Sequence, residues 1–285
     1  MSGNLEFPFD PDAFDFGPTR PLSPQPGDDA DWMRGYYHLE KNERFATQQA
    51  ADLHRADVVS WYRLLDAYWR ALDVPRITSS DQLWVTEWKI MRLGIVAAKG
   101  ALDATLAGYY VGAFGDIRQM AEYWFGLAYL ELKPSSVDGF YAAPPGEQQM
   151  RLPYMGARIR EVLKAYGPGG SHANADKERY AQTVNRTYKR MSDGHHLDGL
   201  ALVQTGDAND PGYYLGATYH PSLAKEAIFH GSLMTIVLGL AATQVMAQQN
   251  SQSSQIGDEI MEALQDAIES SESADQDADE LATAQ

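Results

Sequence analysis

Between Tyr109 and Leu132 the chain runs almost without interruption through apolar and aromatic residues, with Arg118 and Glu122 set inside the run. A helix that is hydrophobic all round cannot sit on a surface, so the remaining helices are expected to pack around this one. Arg118 and Glu122 are four apart and share one helical face. Charged groups in so apolar a setting are stable only when paired, so two readings stand open. Either the pair is a buried structural ion pair fixing helix register, or Arg118 binds an anionic ligand while Glu122 orients it.

The rest of the pattern is also helical. Asp28-Asp29-Ala30-Asp31 places acids where a helix start favours them, and a short helix is predicted to about Tyr37. A long amphipathic helix over Leu39–Leu72 follows, ended by Val74-Pro75. Ser79-Ser80-Asp81 offers an N-cap for a second long helix from Gln82 to about Ala107. Gly108, Gly112 and Gly115 predict either a turn or a close helix crossing before the Tyr109–Leu132 helix. Further helices are predicted over Glu147–Tyr166, Asp176–Met191 and Ser222–Gln249, with Ser192-Asp193-Gly194 stopping the second of these. Leu200–Thr205 and Tyr213–Tyr219 flank a turn-rich loop and read as a small β-hairpin. The expected fold is therefore all-α, a bundle of about five or six core helices with a hairpin insertion near 200–219.

Charge divides the chain into three. Residues 1–31 hold seven acids and one arginine, and residues 251–285 hold ten acids and no base, so the ends carry the whole net charge of −16. The expected organisation is an acidic, Pro-rich disordered leader over 1–30, one helical domain over 31–250, and an acidic tail over 251–285. Within the tail, Ile256, Ile260, Met261, Leu264 and Ile268 give a partly amphipathic piece. A neutral body with acidic ends has no general attraction for phosphate backbones, so contact with RNA would need a local basic patch. The absence of cysteine excludes disulfides, thiolate zinc sites and a cysteine nucleophile, and fits a cytoplasmic protein. No signal-peptide pattern opens the chain, and Gly231–Met246 reads as a core helix instead of a membrane span.

Two segments carry candidate chemistry. Arg190 stands a few residues ahead of His195 and His196, an arrangement in which a guanidinium holds phosphate while an imidazole acts as acid or base. The competing reading makes either histidine a helix C-terminal cap. Asp193, His195, His196 and Asp198 have metal-ligand composition, but adjacent imidazoles diverge, and no metal or other cofactor is expected. Of the other histidines, His220 reads as a helix cap before Pro221, His230 as a core-helix residue, and His54 and His172 as solvent-facing.

Gly108-Tyr109-Tyr110-x-x-Ala113-x-x-Asp116-Ile117-Arg118-x-x-x-Glu122, with Tyr188-x-x-Met191-Ser192-x-x-x-His196 later, resembles a family of bacterial all-helical proteins without a settled activity. More distantly the chain is similar to HEPN domains, helical bundles of toxin–antitoxin and phage-defence systems, many of them ribonucleases with an Arg-x(4–6)-His motif. The resemblance implies a bacterial stress or defence protein acting as a metal-independent RNase. Arg190 would hold phosphate, His195 or His196 would be the acid–base, and Tyr109, Tyr188 and Ser192 would support them. It also implies a homodimer. The alternative from another class is a non-catalytic helical scaffold whose acidic tails bind a protein partner, with Arg118 and Glu122 structural.

Overall fold

The computed structural model describes residues 34–72, 81–138, 153–195, 206–207, 210–213 and 219–249. For 34–40, 71, 194–195, 206–207, 210–213 and 246–249 it describes the backbone alone.

Seven α-helices account for nearly all of it. They are α1 (Arg34–Leu53), α2 (Arg55–Leu72), α3 (Gln82–Leu106), α4 (Tyr110–Leu132), α5 (Met155–Tyr166), α6 (Ala175–His195) and α7 (Pro221–Gln249). A single 3₁₀ turn, Pro134–Val137, closes α4. The all-α fold class expected from the pattern is thus what the described residues adopt. Within the expected hairpin, Gly206–Asp207 pairs antiparallel with Asp210–Tyr213 through only Gly206–Tyr213 and Asp207–Asp210. Residues 200–205 and 214–218 lie outside the described residues, so the short ladder does not establish the hairpin insertion. The acidic leader and tail also lie outside them.

Helix α4 takes the central place that its composition demands. It packs along α3 and also contacts α5, α6 and α7, while α2 reaches the core through α3 and α7. Thirteen of its residues are buried, Phe114, Ile117, Met120 and Phe125 completely. At about 25 cal/mol per Å² of apolar surface, each such side chain contributes roughly 1.5–3 kcal/mol before conformational entropy is set against it. Helix α7 is the second predominantly apolar helix, its charges confined to Lys225 and Glu226 near its start. Pro221–Val245 is long and apolar enough to cross a membrane by length and composition, and here it is packed against α2, α3 and α4.

Local chemistry sets the boundaries. Asp81 caps α3, accepting from the backbone N–H groups of Leu83 and Trp84 at 2.9 and 3.2 Å. Gly108 ends α3 with φ of +80°, a left-handed position that glycine adopts without Cβ strain, so Gly108 makes the turn while Gly112 and Gly115 lie inside α4. The α2–α7 crossing depends on a missing side chain. Trp61, fully buried, lies against Gly231 and donates its indole N–H to Thr235 Oγ1 at 2.9 Å.

Three boundaries differ from the expectation. The predicted Leu39–Leu72 helix is broken at His54 into α1 and α2. His54 is also half-buried, with its Nε2 3.2 Å from the Tyr219 hydroxyl, and is not the solvent-facing residue expected. Helix α6 does not stop at Met191 but continues through Ser192-Asp193-Gly194 to His195. Thr187 and Met191 are buried, and the packing of the turn before Ser192 carries the helix past its local stop signals. The helix expected from Glu147 begins, among the described residues, at Met155.

Candidate functional site

Helices α4, α5 and α6 bring together the residues that carry the Arg-x-x-x-Glu and Tyr…Ser motifs. On α4, Arg118 Nε stands 3.2 Å from Glu122 Oε1, as the four-residue spacing requires. From α6, the Tyr188 ring lies under Arg118, with the guanidinium carbon 5.4 Å from the ring centroid. That is within cation–π range, and such a contact contributes roughly 0.5–2 kcal/mol. Ser192, one turn further along α6, donates its hydroxyl to the Tyr188 carbonyl at 2.7 Å and so acts on the helix backbone.

The pair is less buried than its sequence setting implies. The Arg118 and Glu122 side chains are 24% and 31% exposed. A helix on the inside of a bundle still has two ends and a seam, and this face of α4 meets α6 at such a seam. Arg118 Nε itself is sealed from solvent, and its N–H is not aligned for a hydrogen bond to any described acceptor despite the short distance to Glu122.

A second cation, Arg158 of α5, completes the cluster. Its Nε donates to the Pro153 carbonyl at 2.9 Å. Burial lowers its pKa, opposed by the charge of Glu122 and by Tyr129 and Tyr188. Two guanidiniums therefore face one carboxylate, leaving this seam positive. Arg158 was not visible as a partner in the sequence, because nothing in Arg158-Ile159-Arg160 distinguishes it from the exposed Arg160 two residues on.

Arg190 lies on the same helix as Tyr188 but faces another neighbour. It reaches α7, where its Nε and Nη2 donate to the two carboxylate oxygens of Glu226, the second at 3.0 Å. This side-on, bidentate arrangement is the strong form of an arginine–carboxylate pair. The Glu226 hydrogen bond raises the pKa of Arg190. One turn along each helix, Thr187 Oγ1 and His230 Nδ1 are 3.2 Å apart. Spacing of three on α6 (Thr187, Arg190) and of four on α7 (Glu226, His230) thus builds a polar seam of four groups. Burial lowers the pKa of His230, with Glu226 raising it and Arg190 lowering it further.

The histidine partners expected for Arg190 are not brought into view. His196 lies outside the described residues, and the backbone alone is described for His195, the last residue of α6. Of the four residues with metal-ligand composition, only Asp193 has a described side chain, and it is exposed. Among the described residues no group of three His, Asp or Glu side chains is close enough to hold a metal ion. Tyr109 belongs to neither cluster. It is 37% exposed at the start of α4 and donates to Glu43 Oε1 of α1 at 2.6 Å. His220 meets Ser222 Oγ across the first turn of α7 at 3.0 Å, in the capping position expected of it.

No family model, curated protein or solved structure matches this chain.

Proposed function

We propose that this protein is a non-catalytic helical interaction protein, in which the bundle is a scaffold and the acidic ends engage a basic protein partner. One observation carries the choice against the metal-independent RNase. Arg190, the residue that would hold RNA phosphate, is already neutralised by both oxygens of Glu226. Recruiting it to a phosphate would break a bidentate charged pair and leave a carboxylate, 19% exposed, beside the incoming anion. The charge distribution supports the interaction reading, since the ends hold the entire net charge of −16 on a neutral body. In the same reading the 200–219 segment is a hairpin insertion, and the protein is a cytoplasmic homodimer of HEPN-like ancestry.

The test is salt-dependent association of the full chain with a lysine-rich peptide, followed by fluorescence anisotropy. A full-length variant with the ten acids of 251–285 changed to Asn and Gln is compared with it. Binding that weakens with salt and is lost in the neutralised variant is the expected result. Equal binding by both proteins overturns the role of the tail.

A further inference from the structure

At one end of the bundle lies a cleft of about 770 Å³, between the start of α3, the end of α4, the start of α6 and the second half of α7. Trp84, Trp124, Leu127, Val237 and Leu240 give it apolar and aromatic walls. Its size and composition are those of a small-molecule site, in which a few polar groups on apolar walls fix orientation. The polar groups are mainly acidic, Asp81, Glu87, Glu131 and Asp176 against the single cation Lys177, and Asp176 is itself paired with Arg179 at 3.6 Å.

These acids are not equivalent. Asp81 is committed to the α3 cap. Glu131 accepts from the Tyr166 hydroxyl at 2.8 Å and is paired with Lys177. Glu87 makes no hydrogen bond or ion pair with any described residue, although it is half-buried. Its pKa is raised to about 7, first by burial and then by the charges of Asp81 and Glu131. Trp84 is 5% exposed and its indole nitrogen is sealed from solvent, so it serves the cleft as an apolar aromatic wall.

We propose that this cleft binds a small organic cation, an ammonium on an aromatic body. Glu87 is the counter-ion, and Trp84 and Trp124 hold the aromatic body. An anion is disfavoured, because Lys177 is already engaged and the remaining charge is negative. The aromatic walls add cation–π attraction for the ammonium. The site is independent of the interaction reading above, since neither Arg190 nor the acidic ends contribute to it.

The groups facing Glu87 set the pH dependence. They are Asp81 at the α3 cap, Glu131 on α4, Tyr166 on α5 and Asp176, Lys177 and Tyr180 on α6, while α7 contributes the uncharged Gln244. Of these, Glu87 is the group that changes charge near neutrality, so cation affinity should rise between pH 6 and 8.

Tyramine is the probe, with the neutral alcohol tyrosol as its near-isosteric control, both titrated into the full chain by calorimetry and tryptophan fluorescence. The expected result is saturable binding of tyramine at pH 8 and at least about tenfold weaker binding of tyrosol, as for loss of one charged hydrogen bond. Glu87→Gln should weaken tyramine by about ten- to a hundredfold, leave tyrosol unchanged and abolish the pH dependence. Ala241→Phe, which fills the α7 wall, should weaken both and separates a blocked cleft from a lost charge. Equal affinity of tyramine and tyrosol, an unchanged affinity in Glu87→Gln, or no saturable tyramine binding would overturn the proposal.

Discussion

The α6–α7 seam makes a sharp prediction about Arg190 and Glu226. Two unit charges about 4 Å apart attract by ~1 kcal/mol in water and ~4 kcal/mol at an effective dielectric constant of 20. Arg190 is 47% exposed and Glu226 19%, so solvent screening and the entropy of ordering two side chains bring the net value toward the lower limit. The bidentate geometry keeps it above an ordinary surface pair. A double-mutant cycle of Arg190→Ala and Glu226→Ala, read by urea unfolding, should give a coupling of about 1 kcal/mol. The same pair acts on His230, and here the signs are fixed. Arg190→Ala removes a cation and raises the His230 pKa, whereas Glu226→Gln removes an anion and lowers it further. Both shifts can be followed by NMR titration of the His230 ring. Zero coupling together with an unmoved His230 would show that Arg190 does not pair with Glu226 in solution, and the case against a phosphate-binding Arg190 would fall with it.

Two further outcomes follow from packing and burial. Gly231→Ala puts a methyl group into the Trp61 ring, and this overpacked crossing of α2 and α7 should cost about 1–3 kcal/mol in urea unfolding, against no loss for Gly112→Ala in α4, where the added methyl meets Ala104 Cβ at an ordinary contact distance of 3.9 Å. Because Glu87 holds its proton to about pH 7 in the folded chain and the unfolded carboxyl has its ordinary value of 4.5, wild-type stability should fall as pH rises between those values and level off above about 7. Glu87→Gln should therefore match wild type at pH 4 and exceed it by roughly 1 kcal/mol at pH 8, the figure being discounted for partial exposure. A constant difference across that range would contradict the burial of Glu87.

Local pattern revealed the two helices that have no polar face and left the seams between helices hidden. α4 and α7 could be read because neither could be stable outside a core. The break at His54 could not, since Leu53-His54-Arg55 contains neither Gly nor Pro. Ser192-Asp193-Gly194 misled in the opposite sense, because local stop signals yielded to the packing of Thr187 and Met191 just before them. Arg118 and Glu122 were legible as neighbours from their spacing alone. Their company comes from other helices: Tyr188 stood in the second motif without a sign that it meets Arg118, and Arg158 has no sequence signal. Arg190 shows the hazard of proximity along the chain. Its nearness to His195 and His196 suggested a catalytic pairing, while the carboxylate that holds it lies 36 positions away. Glu87 was overlooked because Thr86-Glu87-Trp88-Lys89 resembles a solvated helical face, and only the ends of α4 and α6 enclose it.

The interaction reading meets its most direct test in an RNA-cleavage assay with purified full-length protein and chelator, using labelled single-stranded RNA. Arg190→Ala and the His195→Ala/His196→Ala variant are assayed in parallel. The expected result is no cleavage above background in any of the three samples. Metal-independent cleavage by wild type that is lost in both variants would contradict it, and would mean that Arg190 leaves Glu226 to hold phosphate.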